Sequence, residues 1–113
     1  MIIGDWNANL GVSGVSLFGP TMEDFCDENN LTISTKHILP ADTYSYTNRG
    51  SDNISKSWLD HVVSSKDTHM AIENIDMLYN VKDEDHIPFV VHLKVDNIPK
   101  FSSESNDVLP KIN

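Results

Sequence analysis

Three short segments of the sequence combine acidic side chains with an amide or an imidazole, each beside an apolar stretch. They are Asp5-Trp6-Asn7, Asp60-His61 and Asp85-His86. A carboxylate at a strand end can orient or deprotonate a water, and an amide can stabilise charge on a phosphoryl oxygen. An aspartate beside a histidine supplies a hard oxygen ligand suited to Mg²⁺ and an imidazole able to donate to a phosphate. If the three segments converge, these groups suit chemistry at a phosphate.

Each segment also has a structural interpretation. An Asp-x-Asn triplet such as Asp5-Trp6-Asn7 is typical of a turn cap. Asp85 ends the charge run 83–85, and such runs are usually solvated surface. Asp60 lies within an apolar strand, where an unpaired carboxylate is costly to desolvate. Asp60 therefore needs a partner, which could be a histidine or else the backbone or Ser57.

The other candidate side chains favour packing or surface roles. Cys26 is the only cysteine, so an internal disulfide and a cysteine zinc cluster are excluded, and we expect a small buried hydrophobic residue. The remaining residues of this group are His37, His61, His69, His92, Trp6 and Trp58.

Period-two alternation and β-branched residues predict the strands that position these segments. Residues 1–3 predict a buried strand leading into Asp5. Further strands are predicted over residues 31–34, 43–47, 58–63, 75–81 and 88–95. A turn over residues 48–56 is expected to close a hairpin between the strand over residues 43–47 and the strand over residues 58–63. Residues 64–74 are ambiguous, with a short helical turn as one interpretation.

One helix is predicted after a glycine-rich loop over residues 9–19. It begins at Pro20, which suits a first helical turn, and ends near Glu28. Met22, Phe25 and Cys26 share one face, which predicts a buried stripe. The pair 23–24 is expected near the positive end of the helix dipole.

Length and charge limit the possible classes of protein. The 113 residues suit one modest domain, here 1–95, followed by a flexible tail over 96–113. No apolar run approaches the roughly 20 residues of a membrane span, and no secretory signal is evident, so we expect an intracellular protein, cytoplasmic or nuclear. A formal net charge of −9 disfavours binding to a phosphate backbone. A chain that opens inside a strand is expected to lack an N-terminal part.

Taken in order, three motifs resemble the C-terminal half of the endonuclease/exonuclease/phosphatase superfamily, which has the DNase I-like fold. They are Ile2-Ile3-Gly4-Asp5-Trp6-Asn7-Ala8, Ser57-Trp58-Leu59-Asp60-His61-Val62 and Glu84-Asp85-His86-Ile87-Pro88. Residues 22–31 also look like the segment that follows the first motif in endonuclease domains of non-LTR retrotransposons. The resemblance covers about residues 1–95 and implies an α/β fold, namely part of a four-layer α/β sandwich.

The resemblance also implies a hydrolase that cuts phosphodiester or phosphomonoester bonds with Mg²⁺ or Mn²⁺. By motif, Asp5 would align or deprotonate the attacking water and Asn7 would contact the scissile phosphate. His86 would stabilise the phosphorane, Asp60 would orient and charge His86, and Asp85 would help to hold the metal or the water. The likeness to retrotransposon endonucleases implies DNA as the substrate; RNA, a phospholipid and a nucleotide are the alternatives within the superfamily.

The principal metal-binding glutamate of the family has no counterpart by motif in residues 1–113. The sequence therefore predicts part of a metal-dependent endonuclease that is impaired or inactive alone. The alternatives are a noncatalytic interaction module and a decayed retroelement product that retains the fold.

Overall fold

A computed structural model of the chain describes residues 1–11, 18–49, 54–81 and 85–94. This part of the chain is a mixed α/β structure with antiparallel sheets and three helices. The elements in order are β1 (Ile2–Asp5), α1 (Phe18–Glu28), β2 (Leu31–Ile33), α2 (Ser34–Ile38), β3 (Tyr46–Arg49), β4 (Ile54–Ser57), β5 (Asp60–Ser65), α3 (Lys66–Ala71), β6 (Ile72–Met77) and β7 (Phe89–Leu93). The predicted tail over residues 96–113 lies outside the described residues.

The central sheet has the strand order β1-β5-β2, with both pairings antiparallel. β5 is the middle strand, and four successive residues, 61–64, are buried on its two faces. The two β-branched residues Val62 and Val63 suit this position because they pack well on both sides of a pleated strand. β5 is therefore the rigid element against which the rest of the described chain packs.

The two faces of β5 carry different apolar clusters, since successive side chains of a strand point to opposite sides. Val63 packs with Ala8, Met22, Cys26 and Ile33, to which α1 contributes its buried stripe. Val62 packs with Ile72 and Ile75 of β6. The sheet thus lies between the helix α1 on one side and the β6 strand on the other.

The helix α1 ends at Glu28 as predicted, but it begins at Phe18, two residues before Pro20. Residues 18 and 19 therefore do not belong to the expected loop, and the pair 23–24 lies in the second turn, too far from the helix start to gain from the dipole. Cys26 is buried as expected, at 2% exposure, whereas Phe25 is 47% exposed and does not belong to the buried stripe.

The strand pairing differs from the predicted hairpin. β3 pairs with β4, and β5 pairs with β1 and β2 instead of with the 43–47 segment. β3 is paired with β4 along its length, and Trp58 and Leu59 lie between β4 and β5 without belonging to either strand. The first strand is also not buried: Ile2 and Ile3 are 56% and 50% exposed, because among the described strands β1 has a neighbour on one side only.

The short helices α2 and α3 follow β2 and β5 directly. α2 begins at Ser34, where the sequence predicts the end of a strand. α3 matches the expected helical turn, and the hydroxyl of Ser65 accepts the backbone N–H of Thr68 at 3.3 Å as an N-cap. β6 then begins at Ile72, three residues before the predicted strand, and pairs with β7. No helix in the described residues has the length and apolar character to span a membrane.

Candidate functional site

The described structure brings together three of the predicted site residues, Asp5, Asp60 and His86, each from a different segment of the chain. The Nδ1 atom of His86 lies 2.8 Å from Oδ2 of Asp60. The Nε2 atom of the same ring lies 3.8 Å from Oδ2 of Asp5, which is beyond direct hydrogen bonding. One ligand atom from each of the three residues fits within a mutual distance of 4.8 Å. We call these residues the acidic cluster.

The pairing of β1 with β5 places the two carboxylates side by side. Asp5 and Asp60 are direct antiparallel partners at the end of the ladder. The backbone N–H of Trp6 donates to the carbonyl of Leu59 at 2.9 Å and continues this pairing. Like charges opposite each other on neighbouring strands are destabilising, so the position favours a cation near both carboxylates. The imidazolium form of His86 meets that requirement.

Ser45 fixes the backbone that carries Asp60. Its side chain is fully buried, and its Oγ accepts the backbone N–H groups of Leu59 and Asp60, each at 2.9 Å. Its own backbone N–H donates to the carbonyl of Ser57 at 2.9 Å. Sequence reasoning did not identify Ser45, because its partners lie 14 and 15 residues further along the chain.

Residues 45–47, at the start of β3, also position the segment that carries His86. Tyr46 and His86 form an isolated antiparallel bridge. The N–H of Ile87 donates to the carbonyl of Ser45 at 2.7 Å, and the N–H of Thr47 donates to that of Asp85 at 3.0 Å. The rings of Tyr46 and His86 lie with their centroids 4.9 Å apart. Ser45 and its neighbours therefore position both members of the Asp60 and His86 pair.

The acidic cluster controls the charge of its imidazole. The hydrogen bond with Asp60 raises the pKa of His86 above its ordinary value of 6.5, partial burial opposes this shift, and the charges of Asp60, Asp5 and Asp85 add to the increase. Only 13% of the Asp60 side chain is exposed, whereas 44% of the His86 side chain is exposed. Asp60 is thus a mostly buried carboxylate with a charge-assisted partner, and His86 presents its Nε2 edge to solvent.

Asn7 lies beside Asp5 but contributes through its backbone. Its N–H donates to Oδ1 of Asp5 at 2.8 Å, so the triplet forms the turn that the structural interpretation of Asp-x-Asn describes. Asn7 has a φ of 53°, in the left-handed region that asparagine tolerates better than most residues. Its side chain is exposed. The contact holds one oxygen of Asp5 in place and leaves Oδ2 directed towards His86.

Asp85, the predicted metal ligand, is exposed and precedes His86 directly. Its charge acts on the imidazole, but its carboxylate is not among the three donors of the acidic cluster. The role of Asp85 as a metal ligand stays a prediction.

The buried histidine His61 belongs to the scaffold. It is fully buried, and its Nε2 lies 2.9 Å from the carbonyl of Trp58 and 3.1 Å from that of Ala8. Its Nδ1 lies 3.1 Å from the hydroxyl of Thr35. The N–H therefore points to the two carbonyls and the ring is neutral, since burial lowers the pKa of His61. His61 ties α2, β5 and the segment after β1 together.

Only some of the side chains in the acidic cluster suit a hard cation as ligands. Mg²⁺ prefers oxygen ligands and is commonly held by one or two carboxylates together with water and substrate phosphate. The exposed Asp5 carboxylate satisfies that description. Imidazole is a poor Mg²⁺ ligand, and Asp60 is already engaged with His86. Asp5 is therefore the side chain of the cluster that suits Mg²⁺ or Mn²⁺, and His86 is better suited to proton and oxyanion chemistry.

Comparison of the chain with protein-family models, with curated proteins and with solved structures gives no match.

Proposed function

We propose that this chain carries the aspartate and histidine part of the active site of a metal-dependent phosphodiester hydrolase. The type we propose is a DNase I-like endonuclease of the kind found in non-LTR retrotransposons, with part of its α/β sandwich in this chain. The observation that carries the proposal is the 2.8 Å contact between His86 and Asp60, with Asp5 on the far side of the same ring. Three segments with the three motifs meet at this ring.

The hydrogen bonds of His86 indicate its role. Asp60 accepts from Nδ1–H, which fixes the ring orientation and favours the imidazolium. The Nε2 atom lies on the solvent-exposed edge of the ring, 3.8 Å from Oδ2 of Asp5. A phosphoryl oxygen that approaches this edge from solvent would accept the Nε2–H, and the interaction would strengthen as negative charge grows on the oxygen in the transition state. His86 is the electrostatic stabiliser of this mechanism, and Asp60 is its positioning residue.

Asp5 is the group that handles the attacking water. Its Oδ1 accepts the backbone N–H of Asn7, which leaves Oδ2 to accept a proton from a water aimed at phosphorus. The water oxygen bonds to phosphorus, its proton passes to Asp5, and the bond to the departing oxygen breaks, with that oxygen protonated from solvent. Asn7 completes the proposed site with a side-chain amide that donates to the phosphate.

Mg²⁺ or Mn²⁺ held by Asp85, and by Asp5 through the attacking water, would neutralise phosphate charge and make that water more acidic. This contribution matters because the formal charge of −9 repels a nucleic acid. The proposed substrate class is DNA. Without a divalent cation, DNA should bind more weakly as the salt concentration is lowered, because the repulsion between the two negative charges is then less screened.

Nicking of supercoiled plasmid in Mg²⁺ tests the proposal. Asp5→Ala and His86→Ala should each lower the nicking rate about 100-fold or more, the usual scale for loss of acid, base or oxyanion groups. His92→Ala is the matched control, because His92 is an exposed histidine that also lies 2.8 Å from a carboxylate, that of Asp76. A measurable wild-type nicking rate that is retained in His86→Ala would contradict the proposal.

A noncatalytic interaction module is the second candidate function, favoured by the net charge of −9. A protein partner with a basic surface would tolerate this charge better than DNA does. The module predicts no nicking by the wild-type chain and a salt-sensitive complex that survives Asp5→Ala. Loss of that complex in Asp5→Ala would count against it.

A further inference from the structure

A second pair of imidazoles lies on the short helices α2 and α3. The rings of His37 and His69 have their centroids 5.6 Å apart, with an angle of 64° between their planes. The two residues share no contact with the acidic cluster among the described hydrogen bonds and ion pairs. The helices follow β2 and β5, which are hydrogen-bonded neighbours, so the sheet itself holds the two rings close.

The spacing of the rings suits a shared metal ion. Zn²⁺ lies roughly 2.0–2.1 Å from a ligating imidazole nitrogen, so each ring centroid is about 3 Å from the ion. Two such rings at the tetrahedral angle have centroids about 5 Å apart. The observed 5.6 Å is close to this separation, and a rotation of the His37 ring would aim one of its nitrogens at a shared ion. His37 is exposed and has the freedom to make it.

A buried serine selects the ligand nitrogen of His69. Ser34 Oγ lies 3.1 Å from Ser64 Oγ and 2.8 Å from Nδ1 of His69. With the Ser34 hydroxyl donating to Ser64, Ser34 Oγ accepts the Nδ1–H of His69, and in this tautomer the lone pair of the ring lies on Nε2. Metal-bound histidines usually show this arrangement, in which the second ring nitrogen donates to an oxygen that fixes the ring.

The surroundings of His69 disfavour the protonated form of its ring. Burial lowers the pKa of His69, and the neighbouring His37 lowers it further, so the ring is a neutral ligand near neutral pH. The nearby cation Lys36 is paired with Glu23 at 3.1 Å, which offsets its charge. Asp67 adds a negative charge in the first turn of α3.

We propose that His37 and His69 form a two-imidazole site for a divalent transition metal such as Zn²⁺. Nε2 of His69 and one ring nitrogen of His37 are the protein ligands, and water completes the coordination. Imidazole suits Zn²⁺, Cu²⁺ and Ni²⁺ and does not suit Mg²⁺. Within the described residues the two histidines have no third His, Cys, Asp or Glu donor in reach, so the ion is exchangeable. The site is independent of the proposed hydrolase function.

Zn²⁺ titration of the intact chain tests this proposal. The titration is made in the His86→Ala background, which removes the imidazole of the acidic cluster, and is followed by Tm and by the ¹⁵N resonances of the imidazole rings. Zn²⁺ should raise Tm in a saturable way and should shift Nε2 of His69 together with a nitrogen of His37. His37→Ala and His69→Gln should each abolish both effects.

Two further variants separate a metal site from ring packing. Ser34→Ala should lower Zn²⁺ affinity about 10–100-fold, because the oxygen that fixes the His69 ring is lost. His92→Ala, which removes an exposed histidine elsewhere, should leave the affinity unchanged. Unchanged Zn²⁺ affinity in His37→Ala, or no Zn²⁺-dependent shift of the His69 ring in the parent chain, would overturn the proposal.

Discussion

His86 connects the three predicted motifs at the scale of single residues. One edge of its ring binds a mostly buried carboxylate, and the other edge faces an exposed one. This arrangement satisfies Asp60, whose desolvation would be costly without a partner. It also leaves Nε2–H directed at the place where a phosphoryl oxygen would lie in the proposed reaction. The protonation state of His86 is therefore the property to measure first.

The pKa of His86 should lie above 6.5, and Asp60→Asn should lower it, because the charged hydrogen-bond partner is lost. The pair of His86 and Asp60 contributes its full stability at pH values below the unfolded-state pKa of His86, which is near 6.5. This contribution is lost as pH rises through the raised folded-state pKa. NMR titration of the His86 ring in both chains measures the shift. Asp67→Asn, a charge change on α3, serves as the control. The same pKa in wild type and Asp60→Asn would contradict the assignment.

Ser45→Ala should destabilise the fold by about 1–3 kcal/mol, because two backbone N–H groups lose a buried acceptor. It should also lower any nicking activity, since those N–H groups belong to Leu59 and Asp60. Urea unfolding measures the first effect and the plasmid assay the second. The matched control is Ser55→Ala, which removes an exposed hydroxyl in the same hairpin. Equal stability of the two variants would show that Ser45 does not hold this segment.

At the scale of elements, the strand β5 and the helix α2 make the pairing and packing contacts that position the site. β5 pairs with β1 to set the two carboxylates opposite each other, and its two faces pack against separate apolar clusters. α2 inserts the buried Thr35 beside it, where the hydroxyl meets Nδ1 of His61 and, at 3.4 Å, the N–H of Val62. A polar helix of five residues is thus fixed by tertiary hydrogen bonds.

Thr35→Val should destabilise the fold by about 1–3 kcal/mol, because it keeps the side-chain shape and leaves the buried His61 ring without its hydroxyl partner. Thr35→Ser keeps the hydroxyl and should recover most of the lost stability. Chemical unfolding of the two variants and the wild type makes the comparison. The role of the hydroxyl would be refuted if Thr35→Val were as stable as Thr35→Ser.

Two histidines give the whole molecule opposite responses to pH. His86 is stabilised in its charged form, whereas burial keeps His61 neutral. For His61 the folded-state pKa lies below the unfolded-state pKa of 6.5. The neutral ring therefore contributes its full stability above pH 6.5, and this contribution is lost as pH falls towards the lowered folded-state pKa. Acidification therefore acts on the core, and alkalinisation acts on the acidic cluster.

Protonation of His61 should lower the free energy of unfolding as pH falls below 6.5, by at most about 1.4 kcal/mol per pH unit for this one proton. His61→Gln should reduce this slope even where its overall stability is lower, because the titrating group is gone. Urea unfolding between pH 5 and 8 gives the slope, with His92→Gln as the surface control. A wild-type slope retained in His61→Gln would exclude His61 as the source.

The fold was predicted best where the information is local. The end of α1, the strands β2 and β7 and the helical turn at α3 follow from residue types within a few positions. The hairpin was wrong, because the choice of partner for β5 depends on long-range pairing that alternation along one strand does not specify. The extra helix α2 was missed because Thr35 and Ser34 are fixed by partners on β5 and α3.

The sequence by itself determined which residue types are available for chemistry: a carboxylate near each of three strand ends, a histidine that could join them, one cysteine and an acidic balance. The resemblance pointed to His86 as the partner of Asp60, but only the tertiary structure decided the geometry of this pair and what holds it. The reason is that charges and hydrogen bonds act over a few ångströms of space, and 26 residues of chain separate Asp60 from His86. Antiparallel pairing and the buried hydroxyl of Ser45 bring them together.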